Sequence, residues 1–329
     1  MSLDGKRVLL TGAGGFIGSH LTDALVRAGA KVRALVHYNS RGDRGLLGLL
    51  DDDVQDAVEV VPGDVGDRSA MIRLVDGCPI VFHLAALIGI PYSYRAAESY
   101  MRTNIGGTLN ILEACRQCGV ERLLQTSTSE VYGTARYTPI DEVHPLHAQS
   151  PYAATKVGAD QLAYSYYAAF GLPVVIVRPF NTFGPRQSAR AVIPTIISQA
   201  LAGDRIRLGH TTPVRDFLYV TDNARGFLAA AEADGVAGEV VNLGTGQGVT
   251  IGRVVEMVGE QLGRQLEVVG DPTRQRPDHS EVLQLVCSVD KARNRMGWQA
   301  LVPLEEGLAR TIAWIDAHRQ HYRPEQYAI

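Results

Sequence analysis

The sequence predicts a doubly wound α/β fold, a parallel sheet covered by helices on both faces, with a smaller lobe over its carboxyl edge. Three observations carry that expectation. Short apolar runs without polar alternation recur through the first half, separated by helical stretches, as expected of strands buried on both faces. The first run leads straight into Thr11-Gly12-Ala13-Gly14-Gly15-Phe16-Ile17-Gly18, a glycine-rich turn that opens a helix. After Arg178 the alternation stops, and Pro179, Pro185, Pro194 and Pro213 punctuate loops and short elements.

In chain order, Arg7–Thr11 reads as an apolar strand and Ser19–Ala28 as a helix ended by Gly29. Val32–Val36 and Val58–Pro62 are the second and third strands, the latter followed by a helix near Ser69–Val75. Ile80–Leu84 is the fourth strand, and a long helix over Ser99–Cys118 is closed by Gly119. Arg122–Thr126 is the fifth strand, Tyr152–Phe170 a second long helix, and Val174–Arg178 the sixth strand. Beyond these, Val241–Gly244 and Leu266–Val269 read as extended and Leu304–Arg319 as a last helix. Residues 1–178 are expected to bind a dinucleotide, with segments near 220–244 returning to that lobe. Residues 179–329 are expected to form the substrate lobe.

The 329 residues suffice for a sizeable core, and a net charge of −3 with no basic run argues against nucleic acid as a partner. No apolar stretch is long enough to span a membrane. The N-terminus runs from Met1 directly into a strand without a secretory apolar region, so a cytoplasmic location is expected. Cys115 and Cys118 form a C-x-x-C, but inside a helical pattern without a thioredoxin context, so they read as buried thiols. No metal site is expected.

In the glycine-rich turn, Gly12 suits the tight turn, Gly15 the approach of a pyrophosphate, and Gly18 close packing of helix on strand. The helix N-terminus adds free N–H groups and a positive dipole end. An NAD site normally carries an acid at the end of the second strand, where this chain has His37-Tyr38-Asn39-Ser40-Arg41. Ser40 and Arg41 would welcome a 2′-phosphate, which points toward NADP. Asp64-Val65 is placed to contact the adenine, and the small side chains of Leu84-Ala85-Ala86 let the cofactor lie against the backbone.

Tyr152 and Lys156 lie one helical turn apart, a Y-x-x-x-K pair. An ammonium beside a phenol lowers its pKa, so Tyr152 is expected to take a hydroxyl proton while hydride leaves the same carbon. Thr128 is placed to hydrogen-bond that hydroxyl. Glu130 is the discriminating residue. Oxidation of a sugar C4 hydroxyl acidifies the C5–H, a carboxylate can then remove that proton, and the C6 hydroxyl departs as water. Ser129 is a candidate to assist that departure. A surface carboxylate capping a turn is the alternative reading of Glu130.

At these residues the chain resembles the extended short-chain dehydrogenases/reductases, and among them the nucleotide-sugar 4,6-dehydratases. The matching stretches are T-G-x-G-G-F-I-G, Thr128–Glu130, S-P-Y-A-A-T-K, R-P-F-N-T-F-G-P-R-Q and Arg215-Asp216-Phe217. Residues 37–41 and Gln187-Ser188-Ala189-Arg190-Ala191-Val192-Ile193-Pro194 resemble the legionaminic-acid-pathway, LegB-type enzymes most closely. The resemblance implies a Rossmann lobe with tightly bound NAD(P)+, NAD by the name of those enzymes. It assigns Phe16, Ile17, His37, Asn39, Asn104, Thr126 and Pro179 to the cofactor as well. It further implies a nucleoside-diphosphate sugar held by Asn181, Arg186, Ala191, Val192, Ile193, Arg215, Arg276 and His279, and a homodimer built from the two long helices. Thr128-Ser129-Glu130 resembles GDP-mannose dehydratases, where dTDP-glucose dehydratases carry Thr-Asp-Glu, so a UDP- or GDP-linked hexose is expected. UDP-glucuronate decarboxylases share Thr-Ser-Glu and are the main rival. UDP-sugar 4-epimerases, which lack the glutamate, come next, and a cofactor-binding regulator is the rival from outside enzymology.

Overall fold

The structure is a computed structural model and describes residues 1–327. The first half alternates strand and helix in this order: β1 (Arg7–Thr11), α1 (Phe16–Arg27), β2 (Lys31–His37), α2 (Asp52–Asp56), β3 (Glu59–Gly63), α3 (Arg68–Val75) and β4 (Ile80–His83). Two short helices, α4 (Ile90–Ser93) and α5 (Ala97–Tyr100), precede α6 (Gly107–Cys118), and β5 (Arg122–Thr126), α7 (Pro151–Phe170) and β6 (Val174–Pro179) follow. The expected strand boundaries hold to within a residue.

Seven strands, the last of them β11 (Val240–Leu243), form one sheet in the order β11-β6-β5-β4-β1-β2-β3, every pair parallel. Successive side chains go to opposite faces, which explains why these strands read as unbroken apolar runs. Val8 and Leu10 enter a core beneath α1 and α9 (Val220–Glu232), whereas Leu9 enters the opposite core with Met71, Ile111, Leu112 and Ala163. The seventh strand, β11 (Val240–Leu243), extends the sheet beside β6.

The long helix expected over Ser99–Cys118 is interrupted. Between α5 and α6, Met101–Gly106 is π-helical, a form concentrated at functional sites. Periodicity could not reveal this, because the extra residue per turn shifts the face without changing residue type. Gly119 ends α6 in the left-handed conformation at φ 65°. At the start of α7, Ser150 Oγ accepts from Ala153 N–H at 3.1 Å and Pro151 occupies the first turn. Cys115 is buried, which pushes its thiol well up, as befits an inert core thiol.

The later elements are β7 (Asn181–Phe183), α8 (Val192–Ala202), β8 (Arg205–Leu208), β9 (Val214–Arg215), β10 (Phe217–Tyr219), β12 (Val249–Thr250), α10 (Ile251–Leu262), β13 (Glu267–Gly270), β14 (Gln284–Leu285), α11 (Asp290–Met296) and α12 (Leu304–Ala317). Their strands pair as β10-β7, β12-β9-β14 and β13-β8. Phe183, Ile196, Ile197, Val254, Val258 and Leu308 fill a separate core there. No helix among the described residues is long and apolar enough to cross a membrane.

Candidate active site

The glycine-rich turn lies between β1 and α1, at the carboxyl edge of the sheet. Gly12 has φ 71°, and a Cβ on it would sit 2.8 Å from Ala85 N. A Cβ on Gly18 would lie 2.1 Å from Gly12 O, so helix and turn touch there backbone to backbone. Gly15 caps α1 without a side-chain partner, which leaves the first N–H groups of the helix, at Phe16 and Ile17, for a phosphate. This cradle fits a dinucleotide.

The wall beside it is wired by a directed relay. Thr108 Oγ1 donates to Asn104 O at 2.6 Å, so it accepts from His83 Nε2 at 3.2 Å. His83 Nδ1 then accepts from Thr11 Oγ1 at 2.8 Å, and Thr11 Oγ1 accepts from Leu84 N and Ala85 N at 3.2 and 3.1 Å. Burial, with the Lys156 charge second, lowers His83 to about 3, consistent with one neutral tautomer. Asn104 was expected to face the cofactor. It is instead buried in the π segment, where it clamps Leu87 N and O at 2.8 and 3.0 Å and donates to Thr155 Oγ1 at 3.0 Å.

On the other side of the cradle, Asn39 is spent on its own loop, accepting from Arg41 N and Asp43 N at 3.1 and 2.9 Å. Ser40 and Arg41 are exposed, and Leu46 N donates to Gly14 O at 3.0 Å, which folds this loop against the glycine-rich turn. His37 Nε2 lies 3.6 Å from Asp64 Oδ2, both exposed, while Val65 is buried.

Tyr152 and Lys156 are both buried on one face of α7. The expected direction for the phenol is reversed in the chain alone. Burial pushes Tyr152 well up; the Thr128 hydroxyl pulls it down, and Glu130, Tyr100 and Asp160 push it further up. The Lys156 ammonium donates to Thr126 O rather than to the phenol, and burial lowers it to about 8. Thr128 caps the short turn Ser129–Tyr132 and accepts from Glu130 N at 3.2 Å. Ser129 and Glu130 are both buried, so Glu130 is not a surface carboxylate.

The arginines divide. Arg276 Nη1 is 3.6 Å from Glu130 Oε1 and, though buried, has no hydrogen-bond partner among the described residues. Arg215 is 5% exposed and donates to Glu281 Oε1 at 3.3 Å. Arg186, expected on a diphosphate, is turned to α1: its Nη2 donates to His20 Nδ1 at 2.6 Å, and His20 Nε2 donates to Pro185 O at 2.9 Å. Asn181 Oδ1 is buried without a partner among the described residues, and Pro179 is buried at the end of β6. Ala191 and Val192 are half-buried at the start of α8, whereas Ile193 is committed to the core around Phe183 and Val254. His279 is exposed; its carbonyl accepts from Gln149 Nε2 at 2.9 Å.

The sequence reading missed Asp160. It continues the Tyr152/Lys156 face by one more turn, and that spacing was the available signal. It also missed Arg178, which donates to Asp160 Oδ2 through Nε and Nη2 at 3.0 and 2.9 Å.

Comparisons with known proteins agree with this geometry. The profile of the GDP-mannose 4,6 dehydratase family matches residues 9–311. The chain is 33% identical to a dTDP-glucose 4,6-dehydratase of Streptomyces antibioticus over 322 residues, covering 96% of this chain and 94% of the other. It is 32% identical to UDP-glucuronic acid decarboxylase 1 of Xenopus tropicalis, covering 98% of this chain and 75% of that one. A solved structure of DesIV, a dTDP-glucose 4,6-dehydratase from Streptomyces venezuelae with NAD and TYD bound, superposes with a TM-score of 0.87 at 30% identity, covering 97% and 99% of the two chains.

Proposed function

We propose a function from one premise: the chain belongs to the GDP-mannose 4,6-dehydratase family, among the extended short-chain dehydrogenases/reductases. On that footing it is an NAD(P)-dependent nucleotide-sugar 4,6-dehydratase that forms a 4-keto-6-deoxy sugar nucleotide. The observation that carries this reading is Glu130, a buried carboxylate two residues from Thr128 whose charge is felt at Tyr152.

Bound NAD(P)+ supplies the acceptor for the C4 hydride and the donor that restores it at C6. Tyr152 takes the proton of the C4 hydroxyl, and the Thr128 hydroxyl orients that group. The Lys156 ammonium, held at Thr126 O, supplies the positive charge that a buried phenolate requires. Once C4 is a ketone, Glu130 removes the acidified C5 proton, and the C6 hydroxyl leaves as water with Ser129 assisting its protonation. The proton taken by Glu130 leaves with the C6 hydroxyl, a solvent proton enters at C5 as hydride returns to C6, and the C4 hydroxyl proton held by Tyr152 passes to solvent, so one water is lost and no net redox change remains.

The substrate is proposed to be a UDP- or GDP-linked hexose or N-acetylhexosamine, because Ser129 stands where dTDP-glucose enzymes carry aspartate. Asn181, Arg215 and Arg276 are the groups proposed to meet the diphosphate. The narrower LegB-type assignment rests on residues 37–41 and 187–194. NAD is supported by the solved neighbour; the exposed Ser40 and Arg41 suit NADP, and paired calorimetric titrations discriminate the two. A cytoplasmic homodimer is proposed, with Leu109 of α6 and Tyr164, Tyr167 and Phe170 of α7 exposed for pairing. Equilibrium ultracentrifugation showing only the 35.6 kDa species would overturn the dimer.

A second reading, UDP-glucuronate decarboxylation, has its own support. Arg276 beside Glu130 could receive a C6 carboxylate, and the decarboxylase relative is nearly as similar. Incubation with a panel of nucleotide sugars and mass spectrometry separates them. Loss of one water supports the dehydratase, and loss of carbon dioxide supports its rival.

A further inference from the structure

Beneath the Tyr152/Lys156 pair lies a buried charge cluster that the proposed steps do not use. Lys156 and Arg178 are 5% and 3% exposed, and Asp160, 1% exposed, lies one turn beyond Lys156 on α7 and pairs with Arg178 at 2.9 Å. Asp160 Oδ2 accepts from Ser127 Oγ at 2.7 Å as well as from the two Arg178 nitrogens. Its Oδ1 is buried and has no partner among the described residues. Arg178 also donates to Tyr132 Oη at 3.0 Å, and Tyr132 donates to Asn242 Oδ1 at 2.8 Å. Ser127 immediately precedes Thr128, so one carboxylate touches the catalytic turn, the catalytic helix and β6.

We propose that Asp160 is a positioning residue for the C4 oxidation. Its carboxylate is the counter-charge that keeps Lys156 an ammonium, and the post that holds Ser127 in register ahead of Thr128–Glu130. The charge count supports this. Two buried cations and one buried anion leave a single net positive charge, which the phenolate of Tyr152 would neutralise. Without Asp160 both buried cations lose their carboxylate, and Lys156, the one able to release a proton, gives it up. Burial pushes the Asp160 carboxyl upward, but three donors converge on Oδ2, two from a guanidinium, and they require the ionised acceptor.

The other groups facing Lys156 do not replace Asp160. Tyr152 on α7 is neutral before reaction. From β5 the Thr126 carbonyl, uncharged, accepts from the ammonium. On β4 the neighbour is His83, held neutral. Arg178 on β6 is a cation, bound to Asp160 Oδ2 and Tyr132 Oη, and competes for the same carboxylate. Glu130, from the turn after β5, acts at Tyr152 and is engaged by Arg276.

The inference rests on the proposed C4 chemistry, which dehydratase, decarboxylase and epimerase readings share, and its test does not require any of them. Wild type and Asp160→Asn, labelled in the lysine side chains, are titrated by NMR, with Lys156→Met used to assign the resonance. The Lys156 titration is expected to move to lower pH by about one unit or more in Asp160→Asn, to return in Asp160→Glu, and to move upward in Arg178→Gln. The alkaline limb of cofactor reduction on addition of nucleotide sugar should move with it. An unmoved Lys156 titration in Asp160→Asn overturns the inference. If Asp160→Asn does not fold, an unmoved or lowered titration in Arg178→Gln overturns it equally. Failure of the dehydratase reading shows instead as no water loss with the Lys156 shift intact.

Discussion

Glu130→Gln separates the two halves of the proposed reaction. The amide keeps the shape of a side chain that is only 8% exposed, so Thr128, Tyr152 and the turn Ser129–Tyr132 should remain in place. What is lost is a proton acceptor. General base catalysis is worth about 10²–10⁴-fold, or about 3–5 kcal/mol in barrier. The variant also deprives Arg276 of the anion 3.6 Å away, while Arg215 keeps Glu281. With Arg276 partly exposed, that loss should lower stability by about 1–3 kcal/mol, too little to unfold the domain. C4 oxidation needs only Tyr152, Lys156 and Thr128, so reduced cofactor should form and then persist. Stopped-flow absorbance of the reduced nicotinamide, read beside product formation, is the assay. Accumulation of reduced cofactor with product release slowed at least a hundredfold is expected. Wild-type turnover without accumulation would refute the role of Glu130.

Three further outcomes follow from the same geometry. Tyr152→Phe keeps the ring and its edge contact with Tyr100 at 6.3 Å but removes the proton acceptor. C4 oxidation should fall about 10²–10⁴-fold with cofactor affinity unchanged, and wild-type activity would sink the assignment. Gly18→Ala forces a Cβ to within 2.1 Å of Gly12 O, backbone against backbone. It should cost about 1–3 kcal/mol in thermal unfolding and weaken cofactor binding by calorimetry, whereas a wild-type profile in both would contradict the cradle. His20 and His83 are lowered from 6.5 to about 3, chiefly by burial, so the unfolded chain binds the extra protons in that window. Their neutral forms hold full stability above pH 6.5. That stability is lost as pH falls toward 3, at up to about 1.4 kcal/mol per unit for each group. Urea unfolding across a descending pH series should show this slope, and His83→Gln should remove part of it.

The sheet was legible because parallel strands buried on both faces leave an apolar run that glycines and helices delimit. The candidate catalytic residues were legible because Tyr152 and Lys156 share a helix face and Thr128–Glu130 lie just past the end of a strand. What escaped was set by tertiary contact. Arg186 looks like a phosphate ligand in sequence, yet its partner His20 lies 166 residues away. Arg276, proposed for the diphosphate, also lies 3.6 Å from Glu130, a pairing no local pattern encodes. Asn104 owes its clamp on Leu87 to a π-helical segment that reads as ordinary helix. The strands β9, β12 and β14 are two residues long, too short for any periodicity to register.

The central claim is that oxidation, elimination and hydride return occur on one sugar. Its most direct test is turnover of a nucleotide sugar deuterated at C4. The proposed chemistry predicts loss of one water, with the deuterium recovered at C6 of the same molecule and a solvent proton at C5. Deuterium returned to C4, or a product that has lost carbon dioxide, would contradict it.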